Sequence, residues 1–259
     1  MNTVIDENGV HTEMQIRNMR QTLGKTLEYE IIGINHDDLA DGSGKAGLTF
    51  LTTSTNISSR MNAADTNAGG WEKSELRAKM NSGEIWNLMP SAFQSKVKSV
   101  RKLTNNVGGG DENKDAAVTA TSDKLFLLSY SEIAPTSHWA SSYPWTSNEG
   151  TQYEAFQGKV TEDDSGNGCL KIGYNWWERS AYPCNSASFL LVSSYGDPLI
   201  YYSGATYSYC VCPTWCFLFD LLILALSPCI TAGAFLLSRH RDCRNGTCQP
   251  EQHASCTLS

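Results

Sequence analysis

An α+β domain with short antiparallel strands, two main helices and long loops is what this 259-residue chain predicts. Two observations carry that expectation. Short apolar runs of strand character flank two stretches of helical spacing, and polar, Gly- and Asp-rich segments separate them.

The elements follow in chain order. Residues 12–23 place Met14, Met19 and Leu23 among Arg and Gln, a short amphipathic helix stopped by Gly24, within a helical lead-in over residues 1–26. Residues 26–34 alternate towards Ile31-Ile32-Gly33-Ile34 and read as a first, core strand. A loop over residues 36–47 supplies Asp37, Asp38 and Asp41 as turn formers, and residues 48–53 are a second strand. Ser74 is an N-cap for a helix with Glu75 in its first turn and Asn81-Ser82-Gly83 at its stop. Residues 85–97 form a second helical stretch that packs Phe93 and Val97. Lys96, Lys98, Arg101 and Lys102 then read as a solvated helix face. Residues 105–117 are polar and Gly-rich, a mobile loop. Gly108-Gly109-Gly110 has no following Lys-Ser or Lys-Thr, so it is not a phosphate cradle. A short buried strand follows at 125–128, and residues 137–166 are long, irregular and aromatic. Further strands are expected around Trp176 and at 189–192, 199–202 and 211–217.

Bulk properties exclude some roles. A net charge of −7 and a pI near 5.2 leave no basic footprint for nucleic acid. All nine cysteines lie at or after Cys169, which does not suit a disulfide framework spanning the fold, so most are expected to be free thiols. Residues 1–7 show neither a basic nor an apolar export region, and synthesis in the cytoplasm is expected. Residues 217–237 are apolar and just long enough to cross a bilayer, with Arg239, Arg241 and Arg244 after them. Asp220 and Pro228 interrupt that run, so a buried or aberrant extension is expected rather than a span. His240, Cys243, Cys248, His253 and Cys256 fit no familiar closed zinc spacing. The histidines are scattered, and no nucleophile elbow or His-Glu-x-x-His occurs; no enzyme, metal or cofactor is expected.

The most informative segment begins at Asn175-Trp176-Trp177-Glu178-Arg179-Ser180 and ends at Val211-Cys212-Pro213-Thr214-Trp215-Cys216-Phe217. From Ser180 to Thr214 there is no Lys, Glu, Gln, Met or Trp, and no Arg or His. The first five types form roughly a fifth of average sequence. They are also the types that a codon ending in a pyrimidine cannot encode. The same stretch holds Tyr182, Tyr195, Tyr201, Tyr202, Tyr207 and Tyr209 among small residues. Rigid tyrosine amid Ser and Gly is the composition of antibody paratopes. Trp176, Trp177 and Trp215 lie outside that codon set and are expected in the core.

With its Trp-Trp-Glu-Arg-Ser opening and Pro-x-x-Cys-Phe close, the segment resembles the variable region of diversity-generating retroelement target proteins. Tyr29 to Asp38, Gly47-Leu48-Thr49-Phe50, Gly69 to Arg77 and Lys124 to Ser129 look like a domain of unknown function. That domain is common in gut bacteria and their phages and often carries such a region. The resemblance implies a C-type lectin-like domain over residues 27–217, a variable region over 181–210 and a hydrophobic, then Cys-rich tail over 218–259. It further implies that mutated Asn codons supply a ligand-binding face: Tyr182, Cys184, Ala187, Ser188, Leu191, Ser193, Tyr195, Asp197, Leu199, Ile200, Tyr201, Tyr202, Tyr207 and Tyr209. The implied partner is a protein or glycan on another cell, met from a phage virion (as a tropism determinant) or a bacterial surface, with a homo-oligomer possible.

Calcium-dependent sugar binding does not follow. Tyr182-Pro183-Cys184 and Asn175-Trp176-Trp177 lack the carboxylates that family of lectins uses for the cation. Two rival classes are a formylglycine-generating-like copper or thiol enzyme using Cys210 and Cys212, and a membrane-anchored adhesin.

Overall fold

The computed structural model describes residues 28–53, 57–135, 137–160, 167–198 and 201–218, all within one compact unit. The expected helix at 12–23, the tail beyond Leu218, and Leu199 and Ile200 lie outside the described residues.

The architecture is α+β, with mostly antiparallel strands and few, short helices. Strands β1 (Tyr29–Ile34), β2 (Leu48–Thr52) and β10 (Thr214–Phe217) form an antiparallel sheet in the order β1-β2-β10, so the two ends of the domain are stitched together. A five-stranded sheet runs β3-β9-β6-β7-β8, from β3 (Ser58–Ser59), β6 (Trp176–Ala181), β7 (Ser188–Val192), β8 (Tyr201–Gly204) and β9 (Tyr209–Cys210). Its β6–β9 pairing is parallel, a departure from the expected pattern. A separate hairpin joins β4 (Val100–Asn105) to β5 (Val118–Asp123).

Helix α1 (Gly70–Lys73) leads into α2 (Glu75–Asn81), where the Ser74 side chain accepts from the Arg77 amide as its cap. Leu76 and Met80, four apart, fall on the buried face. The second expected helix resolves into two single turns, α3 (Glu84–Asn87) and α4 (Ser91–Gln94). Pro90 between them has no amide hydrogen to continue a helix and disfavours helical backbone at Met89. Helix α5 (Tyr130–Ile133) is opened by Ser129, whose amide donates to Glu132.

The core is aromatic. Trp71, Trp176 and Trp177 are buried, and Trp215 stacks on Phe50 at 5.6 Å between centroids. Residues 125–128 are fully buried as expected, though only Phe126 makes a strand bridge, to Thr214.

Three expectations are corrected. Lys102 is not on a solvated helix face. It lies on β4, 2% exposed, 2.6 Å from Asp37 and paired with Glu132. Asp37 is accordingly a buried ion partner rather than a turn former, and it also accepts from Thr49 and Tyr153. Burial alone would raise the Asp37 carboxyl, and Lys102 with Thr49 overrides it and holds it well below the usual range. The first part of the loop after β4, around Asn105 and residues 108–110, is packed rather than free, for a reason that belongs to the site, while most of 111–117 is exposed.

Candidate binding surface

The segment leaves and rejoins the core through two anchors. At its start, Arg179 is fully buried and spends its guanidinium on fixed acceptors. Nε donates to Thr104 at 2.9 Å, Nη1 to the Leu127 carbonyl and Glu132, and Nη2 to the carbonyls of Leu103 and Glu149. Ser180 donates to Glu149 and accepts from the Tyr130 amide. Burial pushes the Glu149 carboxyl up to about 7. Glu178 is also buried, and neither of its carboxylate oxygens finds a hydrogen bond among the described residues. At the other end, the Pro213 carbonyl accepts from the amide and the hydroxyl of Thr52.

Between the anchors, the turn after β6 is seated on the Gly-rich loop. Asn67 donates to the carbonyls of Asn185 and Ser188 while its own oxygen accepts from Gly109. A Cβ on Gly109 would overlap the carbonyl oxygens of Tyr182 and Asn185, so only glycine allows this approach. Asn105 ties the same loop by accepting from Val107 and Gly108. That packing seats residues 105–110 of the loop expected to be mobile against the turn after β6. Gly109 and Asn67 support the surface, and the Gly-Gly-Gly run is the one sequence signal that could have pointed to the first.

The residues expected on the binding face divide sharply. Cys184, Tyr195, Tyr201, Tyr202 and Tyr207 are exposed, and Tyr182, Ala187, Asp197 and Tyr209 are half-buried. Ser188, Leu191 and Ser193 are buried. Strand β7 lies between β6 and β8 and is covered on both faces, so Leu191, 1% exposed, presents nothing to a ligand. The Ser193 hydroxyl is spent on the amides of Tyr195 and Asp197, closing the turn after β7.

The exposed tyrosines do not share one face. On a strand, successive side chains point to opposite sides. Tyr202 stacks on Tyr182, rings parallel and 3.8 Å apart, with Trp139 edge-on to Tyr182. Burial, then Cys184 and Tyr202, push the Tyr182 hydroxyl up. Tyr201 and Ser203 take the other side, where Ser203 bonds the Tyr209 hydroxyl and Tyr209 sits edge-on to Trp177. Tyr195 stands apart on its turn. The Ser194 amide donates to Asn175, which brings exposed Tyr174 near that turn; the sequence reading omitted it.

The profile of a family described as a domain of unknown function, DUF6273, matches residues 46–216. The chain belongs to this family. No curated protein and no solved structure matches it. In this DUF6273 domain the matched span ends just past the second anchor, so it holds both anchors and the whole tyrosine segment. Neither of two shallow surface grooves, one beside Lys98 and Leu218 and one beside Lys114 and Trp145, includes a residue of that segment. Among the described residues, no three His, Cys, Asp or Glu side chains gather as a metal site. No described helix is long and apolar enough to cross a membrane, and the candidate span from 219 onward lies outside the described residues.

Proposed function

We propose that this DUF6273 protein is a ligand-binding protein with a C-type lectin-like fold. In this reading residues 181–210 are diversified by a retroelement and recognise a protein or glycan on another cell. One observation carries it. Of the eight large apolar side chains exposed among the described residues, four are tyrosines of this segment (Tyr195, Tyr201, Tyr202 and Tyr207), while the flanking Trp-Trp-Glu-Arg-Ser motif is wholly internal. Exposed aromatics concentrated in one segment support a recognition role, here on the two sides of β8 and at the turn after β7. Tyrosine supplies contact area at low entropy cost, and neighbouring Ser and Asp supply hydrogen bonds. Display in several copies, on a virion or a bacterial surface, would offset weak single-site affinity.

The copper or thiol enzyme is disfavoured. Burial pushes the thiols of Cys210 and Cys212 up, against thiolate formation, and Cys212 is 1% exposed.

Deep sequencing of the locus tests the proposal. Variation confined to residues 182–209, beside an adenine-rich near-copy encoding Asn and a reverse transcriptase, is the expected result. An invariant segment with no template copy would overturn it.

A further inference from the structure

We infer that the side of β8 bearing Tyr202 recognises a cationic side chain, a lysine or arginine presented by a protein partner. The inference rests on the binding role proposed above and adds the chemistry of the ligand.

It starts from Asp65, which lies outside the tyrosine segment. The loop that carries it is tied to that segment at both ends. The Asn62 amide donates to the Ala205 carbonyl at 2.9 Å, and the Asn67 amide to the Ser186 carbonyl at 2.8 Å. The Asn62 side chain closes the loop by donating to the Thr66 carbonyl at 2.7 Å. Asp65 is thereby held against β8. A Cβ built on Gly204 would lie 2.8 Å from Asp65 Oδ1 and 3.4 Å from Cδ2 and Cε2 of the Tyr207 ring. Residues 202 and 204 point to the same side of the strand. The carboxylate, the bare backbone of Gly204 and the ring of Tyr207 therefore converge, on the side of β8 that carries Tyr202.

Charge decides what fits. Asp65 is exposed and forms no ion pair among the described residues. Arg60, five positions before Asp65 in the chain, is held by Glu75 at 3.3 Å. Nothing basic occurs from Ser180 to Thr214. An apolar partner covering this spot would bury Asp65 unpaired, an anionic one would be repelled, and a neutral hydrogen-bond donor would pair with the carboxylate without neutralising its charge. An ammonium or guanidinium meets both needs: its charge pairs with the carboxylate and its face or methylenes lie on tyrosine rings. Gly204 keeps the carboxylate within reach, because any side chain there would push against it.

The test is an NMR titration of the full chain with Nα-acetyl-arginine amide, its uncharged citrulline analogue and methyl mannoside, following the Tyr202 and Tyr207 ring signals. Saturable shifts with the arginine probe alone are expected. Asp65→Asn should weaken them roughly fivefold or more, and added salt should weaken them too. Asp65 is exposed, so that variant should fold normally, and unchanged amide spectra elsewhere would establish it. Equal response to citrulline, or indifference to Asp65→Asn, overturns the inference. A response to the mannoside alone overturns it in favour of a glycan. Ligands selected from a displayed peptide library separate the two readings. Binders lost in Tyr202→Ser but unaffected by Asp65→Asn leave the binding role standing without its cationic chemistry. Failure to select any binder that depends on Tyr202 or Tyr207 removes both.

Discussion

Two neighbouring regions of this domain are made from opposite materials. Around β4, β6 and α5, Lys102, Arg179, Asp37 and Glu132 neutralise one another in the interior. From Ala181 to Pro213 the chain carries a single formal charge, Asp197. The interior network draws its partners from far along the sequence, so removing one strands the charge of another. The rim makes few such commitments. A frame fixed by buried, mutually paired ions would let the exposed positions of the proposed variable surface change without unfolding it.

Breaking the interior gives the largest expected effect. Arg179→Ala strands Glu132 and several carbonyls, and should cost about 3–5 kcal/mol in urea unfolding or abolish soluble expression. The comparison sharpens with pH. Glu149 has a folded pKa of about 7 against an ordinary 4.5, so folding takes up a proton between those values. Its contribution is therefore full below pH 4.5 and is lost as pH rises through 7. Asp37 and Glu132, held low, act oppositely and lose stability only as pH falls below the usual carboxylate range. Stability should thus decline from pH 5 to 7.5, and Glu149→Gln should remove up to about 3 kcal/mol of that decline.

Glu178 breaks the pattern from inside, as a buried carboxyl without a hydrogen bond among the described residues. Burial first, then the nearby Glu149, push it well above its ordinary value. Glu178→Leu should stabilise the domain by about 1–3 kcal/mol, read as a raised melting temperature. A loss instead would reveal a partner for that carboxyl. The smallest effect belongs to the rim. Tyr195→Ser and Tyr207→Ser should each change unfolding free energy by about 0.5 kcal/mol or less. Calorimetry showing losses of several kcal/mol would make these tyrosines structural.

Local signals were legible where local chemistry decides. The Ser74 cap, the β1 and β2 runs and the tryptophans flanking the tyrosine segment all lie where the sequence places them. The β4–β5 hairpin was missed because β5 is half-exposed and Thr-rich, while β4 carries Arg101 and Lys102. Lys102 can be buried only because Asp37 and Glu132 arrive from 65 and 30 positions away, which no local window reports. The proposed binding surface is legible in composition but not in geometry. Missing residue types marked the segment, yet only strand order shows that β7 is interior and β8 is an edge.

That edge position has a combinatorial consequence. Under the proposed diversification, substitutions at odd and even positions of β8 face different sides of the sheet and would act as two separate short alphabets rather than one long one. A change at 201 can be sampled without disturbing what 202 has already found. On that proposal, two ligands held back to back would each be improved by its own half of the positions.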